Sequence, residues 1–128
     1  MLPISLWDED IVEGDGFGPT VDVSRESGKL LVVTLAITRL LQQESLEISV
    51  WGSPDGTDWG TRPLTSFPQK FYCGLYSILL NLAAQRQIAY LRLQWKIKIL
   101  AKAGNIAPLA GFYVQAEESG SRMQSAVA

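Results

Sequence analysis

Tyr90-Leu91-Arg92-Leu93-Gln94-Trp95-Lys96-Ile97-Lys98-Ile99 alternates apolar and polar residues over ten positions. Leu91, Leu93, Trp95, Ile97 and Ile99 fall on one side; Tyr90, Arg92, Gln94, Lys96 and Lys98 fall on the other. A period of two belongs to a pleated strand, whose successive side chains leave on opposite faces. This stretch is a strand with one face in a core and a wet, basic face outside.

Upstream, residues 45–51 repeat the pattern, with Leu46, Ile48 and Val50 inward against Glu47, Ser49 and Trp51. Residues 30–38 read the same way: Leu31, Val33, Leu35 and Ile37 share a side, and the β-branched content favours strand over helix. Residues 75–82 and 111–116 supply two further apolar strand candidates, the first of which also tolerates a helix, and 4–7 and 20–24 two short ones. Between them lies turn chemistry. Ser53-Pro54-Asp55-Gly56 presets one backbone angle, caps its own turn and offers a left-handed position, which predicts a tight hairpin returning as a short strand near Trp59. Gly104-Asn105 and Pro108 mark a turn before the last strand. In residues 13–19, glycines at 14, 16 and 18 and Pro19 deny both helix and ladder, so this segment reads as a loop.

Short strands, Gly/Pro turns and no long helical period indicate an all-β fold, an antiparallel β-sandwich, with a jelly roll as first choice of topology. The expected organisation is an acidic, Gly-rich N-terminal arm with short strands over 1–29, a sandwich core over 30–116 and a flexible tail over 117–128. The 128 residues suit one domain large enough for a core without staples. A hydrophobic share of 47% with a net charge of -2 excludes a disordered chain.

Composition also narrows the chemistry. With no histidine and one cysteine, His-dependent nucleophile systems, His-based zinc sites and an internal disulfide are excluded. Cys73 reads as a buried structural thiol in a reducing compartment. Asp55 and Asp58 share one turn and cannot flank a glycosidic bond from two sides. Asp8, Asp10, Asp15 and Asp22 match no calcium-loop spacing. The expectation is no enzyme, no cofactor and no metal. The longest uncharged run, residues 71–85, is too short and too interrupted to span a membrane. Residues 1–10 lack a basic segment and reach Asp8-Glu9-Asp10 at once, which reads as no signal peptide and a cytoplasmic location, or a particle assembled there.

Charge is segregated along the chain. Residues 1–26 carry seven acidic side chains against one arginine, whereas 59–116 carry seven basic side chains and no acid. One consequence would be an acidic segment folded over its own basic strand. The other is contact between copies: Asp8, Glu9 and Asp10 would steer the arm to the Arg92, Lys96, Lys98 face of a neighbour, with Trp7 and Phe17 supplying apolar affinity. The basic stripe, which Lys102 extends, has the charge to track phosphates, but an isoelectric point near 5.0 argues against a nucleic-acid partner.

The motif Ser53-x-Asp55-Gly56-x-x-Trp59, followed by Tyr90-Leu91-Arg92, resembles the discoidin group of galactose-binding-like sandwiches. Together with Arg92-Leu93-Gln94-Trp95 it is also similar to small β-sandwich proteins of tailed-phage particles. The match covers about residues 46–99. It implies a sandwich hairpin and, on the phage side, a structural subunit of a multi-copy particle, joined as a homo-oligomer or a larger protein assembly. The alternative is a carbohydrate-binding module, in which Trp51 and Trp59 stack a sugar ring and Asp55 takes its hydroxyls.

Overall fold

A computed structural model describes residues 3–85, 87–99 and 108–119. The strands are β1 (Ile4–Val12), β2 (Gly16–Phe17), β3 (Val21–Asp22), β4 (Leu30–Leu40), β5 (Glu44–Ser53), β6 (Thr65–Ser66), β7 (Gly74–Asn81), β8 (Tyr90–Ile99) and β9 (Ala110–Glu118), with one 3-10 turn at Ser24–Glu26. They form two antiparallel sheets: β1-β9-β4-β7 in the first, and β2-β8-β5-β6 in the second, where β3 also pairs with β8. The all-β antiparallel sandwich is as the alternation predicts.

The pairings are nested. β1 joins β9, β2 and β3 join β8, β4 joins β7, and β5 joins β6, all antiparallel. If β2 and β3 are counted as one interrupted strand, first pairs with last, second with next to last, and so inward. The ribbon folds over so that alternate pairs fall in opposite sheets.

The core lies where these sheets face one another. Leu31, Val33, Leu35 and Ile37 of β4 and Phe112, Val114 and Ala116 of β9 meet Leu46, Ile48 and Val50 of β5 and Leu91, Leu93 and Trp95 of β8, all buried. Each large apolar side chain removed from water contributes about 1.5–3 kcal/mol, which is what fixes the registers of these long strands.

Four expectations need correction. β1 does not stop at residue 7 but continues through Asp8-Glu9-Asp10. Register shifts between Ser5 and Trp7 and between Trp7 and Asp10 break the strict alternation, so three consecutive acidic residues stay exposed within a strand. Residues 13–19 do enter a ladder, with Gly16 opposite Trp95 and Phe17 opposite Gln94. A Cβ on Gly16 would lie 3.1 Å from the Trp95 ring, and one on Gly18 3.6 Å from both Trp95 and Trp7. Here glycine permits a backbone to lie against indoles, rather than preventing pairing. The hairpin after β5 is wide: its return strand is Thr65–Ser66, flanked by bonds from Leu64 N to Val50 O and from Phe67 N to Ile48 O. Trp59 is in no strand. Cys73 is exposed, because it lies in the loop entering β7 and not on an inward strand position. Lys102, Arg86, the Gly104-Asn105 turn and residues 120–128 lie outside the described residues, and β9 carries the sandwich to Glu118.

Candidate functional site

The outward face of the second sheet gathers most of the side chains singled out above. β5 and β8 pair so that Trp51 faces Arg92, Ser49 faces Gln94 and Glu47 faces Lys96. The hydroxyl of Ser49 accepts from Trp51 Nε1 at 3.0 Å, which fixes the indole on the sheet. Beside it runs a groove of about 370 Å³ lined by Trp51, Glu47, Ser49, Gln94 and Lys96 from the two strands, with Gln69 among the residues of the opposite wall. One flat apolar wall with amide, hydroxyl, carboxylate and ammonium groups can hold a small polar ligand by stacking and hydrogen bonds.

Arg92 is already occupied. Its guanidinium lies 4.4 Å from the Phe17 ring and 4.5 Å from the Trp59 ring, a plate between two aromatics. Cation–π attraction and the rigidity of the flat group explain why Trp59 folds back here. Asp55 is likewise engaged in its own turn. Its Oδ1 accepts from Asp58 N and Thr57 N, both at 2.9 Å, and from Ser53 Oγ at 3.0 Å. The amide bonds from Asp58 and Thr57, then the Ser53 hydroxyl, hold this carboxyl well below the usual carboxylate range. Of the three residues expected to grip a sugar, Trp51 lines the groove, Trp59 is stacked on Arg92 and Asp55 builds the turn.

The N-terminal residues are divided between core and surface. Trp7 packs on Trp95 (centroids 4.6 Å apart) and on Phe112 (6.0 Å), and Trp95 meets Phe112 edge-on at 5.5 Å. Trp95 Nε1 donates to Gly14 O at 3.0 Å, Ile97 N donates to Asp15 Oδ1 at 2.8 Å, and Gly18 N donates to Leu93 O at 2.9 Å. The segment after β1 thus covers the outer edge of β8 within the same chain. Of the two aromatics expected at an interface between copies, Trp7 packs on Trp95 and Phe112, whereas Phe17 lies against Arg92 and keeps 52% exposure. Asp8, Glu9 and Asp10 remain exposed, as do Lys96 and Lys98, and among the described residues no ion pair joins the two groups.

Sequence reasoning missed Glu44. It has 0% exposure, and its two oxygens accept from Leu41 N at 3.1 Å and Leu109 N at 2.9 Å. One carboxylate thereby ties the β4–β5 turn to the chain entering β9. Glu26 is also buried, paired with Lys29 at 2.7 Å, and the lysine holds its carboxyl below the ordinary range. Among the described residues no group of His, Cys, Asp and Glu side chains could hold a metal ion, and no helix is long and apolar enough to cross a membrane.

No family model matches the chain, and no curated protein matches it. Among solved structures it is similar to a chain in the structure of infectious bursal disease virus, Gx strain, with a TM-score of 0.53 and 14% identity. The likeness covers 92% of this chain and 33% of the viral one, so this chain spans a third of that chain's length. At that identity the similarity is one of fold. It does not extend to the discoidin group of the sequence resemblance.

Proposed function

We propose that this chain is a non-catalytic building unit of a multi-copy particle, with the jelly-roll topology to which the nested pairing corresponds. The observation that carries the reading is the likeness over nearly the whole chain to a chain of a virus structure. The eight-strand double-sheet roll is an architecture from which viral capsid domains are built. In this reading copies meet head to tail, the acidic edge strand β1 of one against the basic β8 face of the next. Its support is the separation of charge: Asp8, Glu9 and Asp10 lie on one sheet, Lys96 and Lys98 on the other, all exposed. Exposed ion pairs contribute only about 0–1 kcal/mol each, so charge sets orientation and encounter rate and apolar surface must supply affinity. Assembly would take place in the cytoplasm.

Sedimentation velocity and negative-stain microscopy at two salt concentrations test the reading. The expected result is concentration-dependent assembly weakened by salt, with Lys96→Glu plus Lys98→Glu lowering both the association and its salt dependence. A wild-type chain that stays monomeric at every concentration and salt would end it. A second reading, a carbohydrate-binding module, draws support from the groove beside Trp51. Sugar binding lost in Trp51→Ala, from a chain that never assembles, would favour it.

A further inference from the structure

The sandwich has several open strand edges, and they are not equally protected. β1 carries three acidic residues and two register shifts. β6 is two residues long and lies between Pro63 and Pro68. The opposite edge of the second sheet is split into β2 and β3 by Pro19. Charge, bulges, proline and shortness are the devices by which sheets avoid unwanted strand addition. β7 has none of them. It is eight residues, Gly74–Asn81, in unbroken register with β4, and contains no charge and no proline.

The phase of its hydrogen bonding follows from one bond beyond its end. Leu82 N donates to Lys29 O at 2.9 Å, so positions 29 and 82 form a hydrogen-bonded pair. In an antiparallel ladder such pairs recur at every second position. Gly74, Tyr76, Ile78 and Leu80 therefore turn their backbone groups to β4. Those of Leu75, Ser77 and Leu79 point to the open edge. The same odd positions carry the exposed side chains, Leu75 at 71% and Leu79 at 59% exposure.

We propose that β7 is a strand-addition edge at which a second copy of this chain docks antiparallel, about a two-fold axis through Ser77, merging two four-stranded sheets into one of eight. The inference rests on the reading of the chain as an assembling unit and adds a joining surface distinct from the charged one. The register is dictated by the sequence itself. With Ser77 on the axis, Leu75 lies opposite Leu79 of the second copy, and Leu79 opposite its Leu75. These are the positions with free N–H and C=O groups, so each pair exchanges both backbone bonds. On the core-facing side the Tyr76 ring, which the Lys70 ammonium covers at 4.2 Å, meets Ile78 of the second copy. A one-residue slip would place outward side chains opposite inward ones.

The area approaches what an interface needs. Leu75 and Leu79, with Tyr72 at 77% exposure and Phe71 at the strand end, expose apolar surface on the order of 400 Å² in all, a sizeable patch for a monomer. Outward side chains of a joined sheet stay partly wet, so two copies would bury at most about 800 Å² from them, and the newly paired backbone brings the total toward the threshold of a specific interface. The strand itself is uncharged, and the nearest cation is the Lys70 ammonium, held over the Tyr76 ring.

The test uses the full chain, with Leu75→Lys plus Leu79→Lys as one variant and Ser77→Pro as the other. Both changes lie at exposed positions, and the Ser77 N–H serves no bond to β4. Sedimentation across concentration should show a wild-type dimer, a dissociation constant raised at least about tenfold in each variant, and unchanged far-UV circular dichroism. Amide exchange by NMR should show Leu75, Ser77 and Leu79 protected only on association, and Tyr76 and Ile78 protected throughout. If the wild type associates and the double lysine variant does so equally, the edge is wrong and assembly stands. Association without protection of the three odd amides overturns strand addition in favour of face docking. A wild type that never associates removes this inference together with the assembly reading.

Discussion

Replacing Glu44 by alanine tests whether one buried carboxylate holds two loops together. Its oxygens accept from Leu41 N at 3.1 Å and Leu109 N at 2.9 Å, from a side chain with 0% exposure. A hydrogen bond to a charged group contributes about 1.5–3 kcal/mol, and a buried donor left without a partner loses its desolvation energy in full. Two such bonds amount to roughly 3–6 kcal/mol. Against this, alanine relieves the cost of burying a charge with no cation paired to it among the described residues. The net expectation is a loss of about 2–4 kcal/mol, a large part of the 5–15 kcal/mol typical of a domain. Glu44→Gln keeps an acceptor for one donor and sets an amide N–H₂ against the other, so about half that loss is expected. Urea denaturation followed by tryptophan fluorescence reads both variants as lowered midpoints at unchanged slope. Glu47→Ala, exposed on the same strand, is the control and should stay within about 0.5 kcal/mol. If Glu44→Ala matches that control, the carboxylate is not a structural tie and the reasoning fails.

Asp55→Asn should flatten the acid limb of stability. The folded carboxyl titrates below its ordinary value of 3.8, so its contribution is present above that value and lost as pH falls below it. Thermal melts should show the wild type and variant differing at neutral pH and converging at the acid end; parallel curves would refute the role of the turn bonds. Gly16→Val would force branched atoms into an indole already 3.1 Å from the first added carbon, whereas Gly14 has nothing within 4 Å. The valine variant should lose about 1–3 kcal/mol and red-shift tryptophan emission, while Gly14→Ala should stay close to wild type.

The long strands were legible because their alternation is unbroken. Residues 90–99 read as β8 to the residue, and β4 and β5 differ from expectation only at their ends. β1 was harder, since three consecutive acids resemble a loop unless a bulge slips the register, and bulges leave no composition signal. Gly14, Gly16 and Gly18 also alternate with period two, and that was the available clue to a strand face pressed against aromatics. It becomes decisive only when Trp95 is known to lie opposite. The Ser53–Asp55 turn was legible from its own residues, because its bonds are local. Trp59 was not, since its partner Arg92 comes from a distant strand. Glu44 had no signal beyond being a carboxylate among Gln42 and Gln43, because its burial follows from the approach of residue 109.

The place of β9 has a consequence for how the chain reaches its fold. This last strand lies between β1 and β4, not at an edge. The inner faces of β1 and β4 therefore have no neighbour to join them until residues 110–118 have been synthesised. A ribosome adds only about 5–20 residues per second, so the leucines and valines of β4 wait seconds for their sheet. Nested pairing of first strand with last also gives the longest loops to close, which places folding in the slow, millisecond-to-second range of β-sandwiches. The completed sandwich thus depends on β9, and a chain interrupted before it would present β1 and β4 as two further open edges.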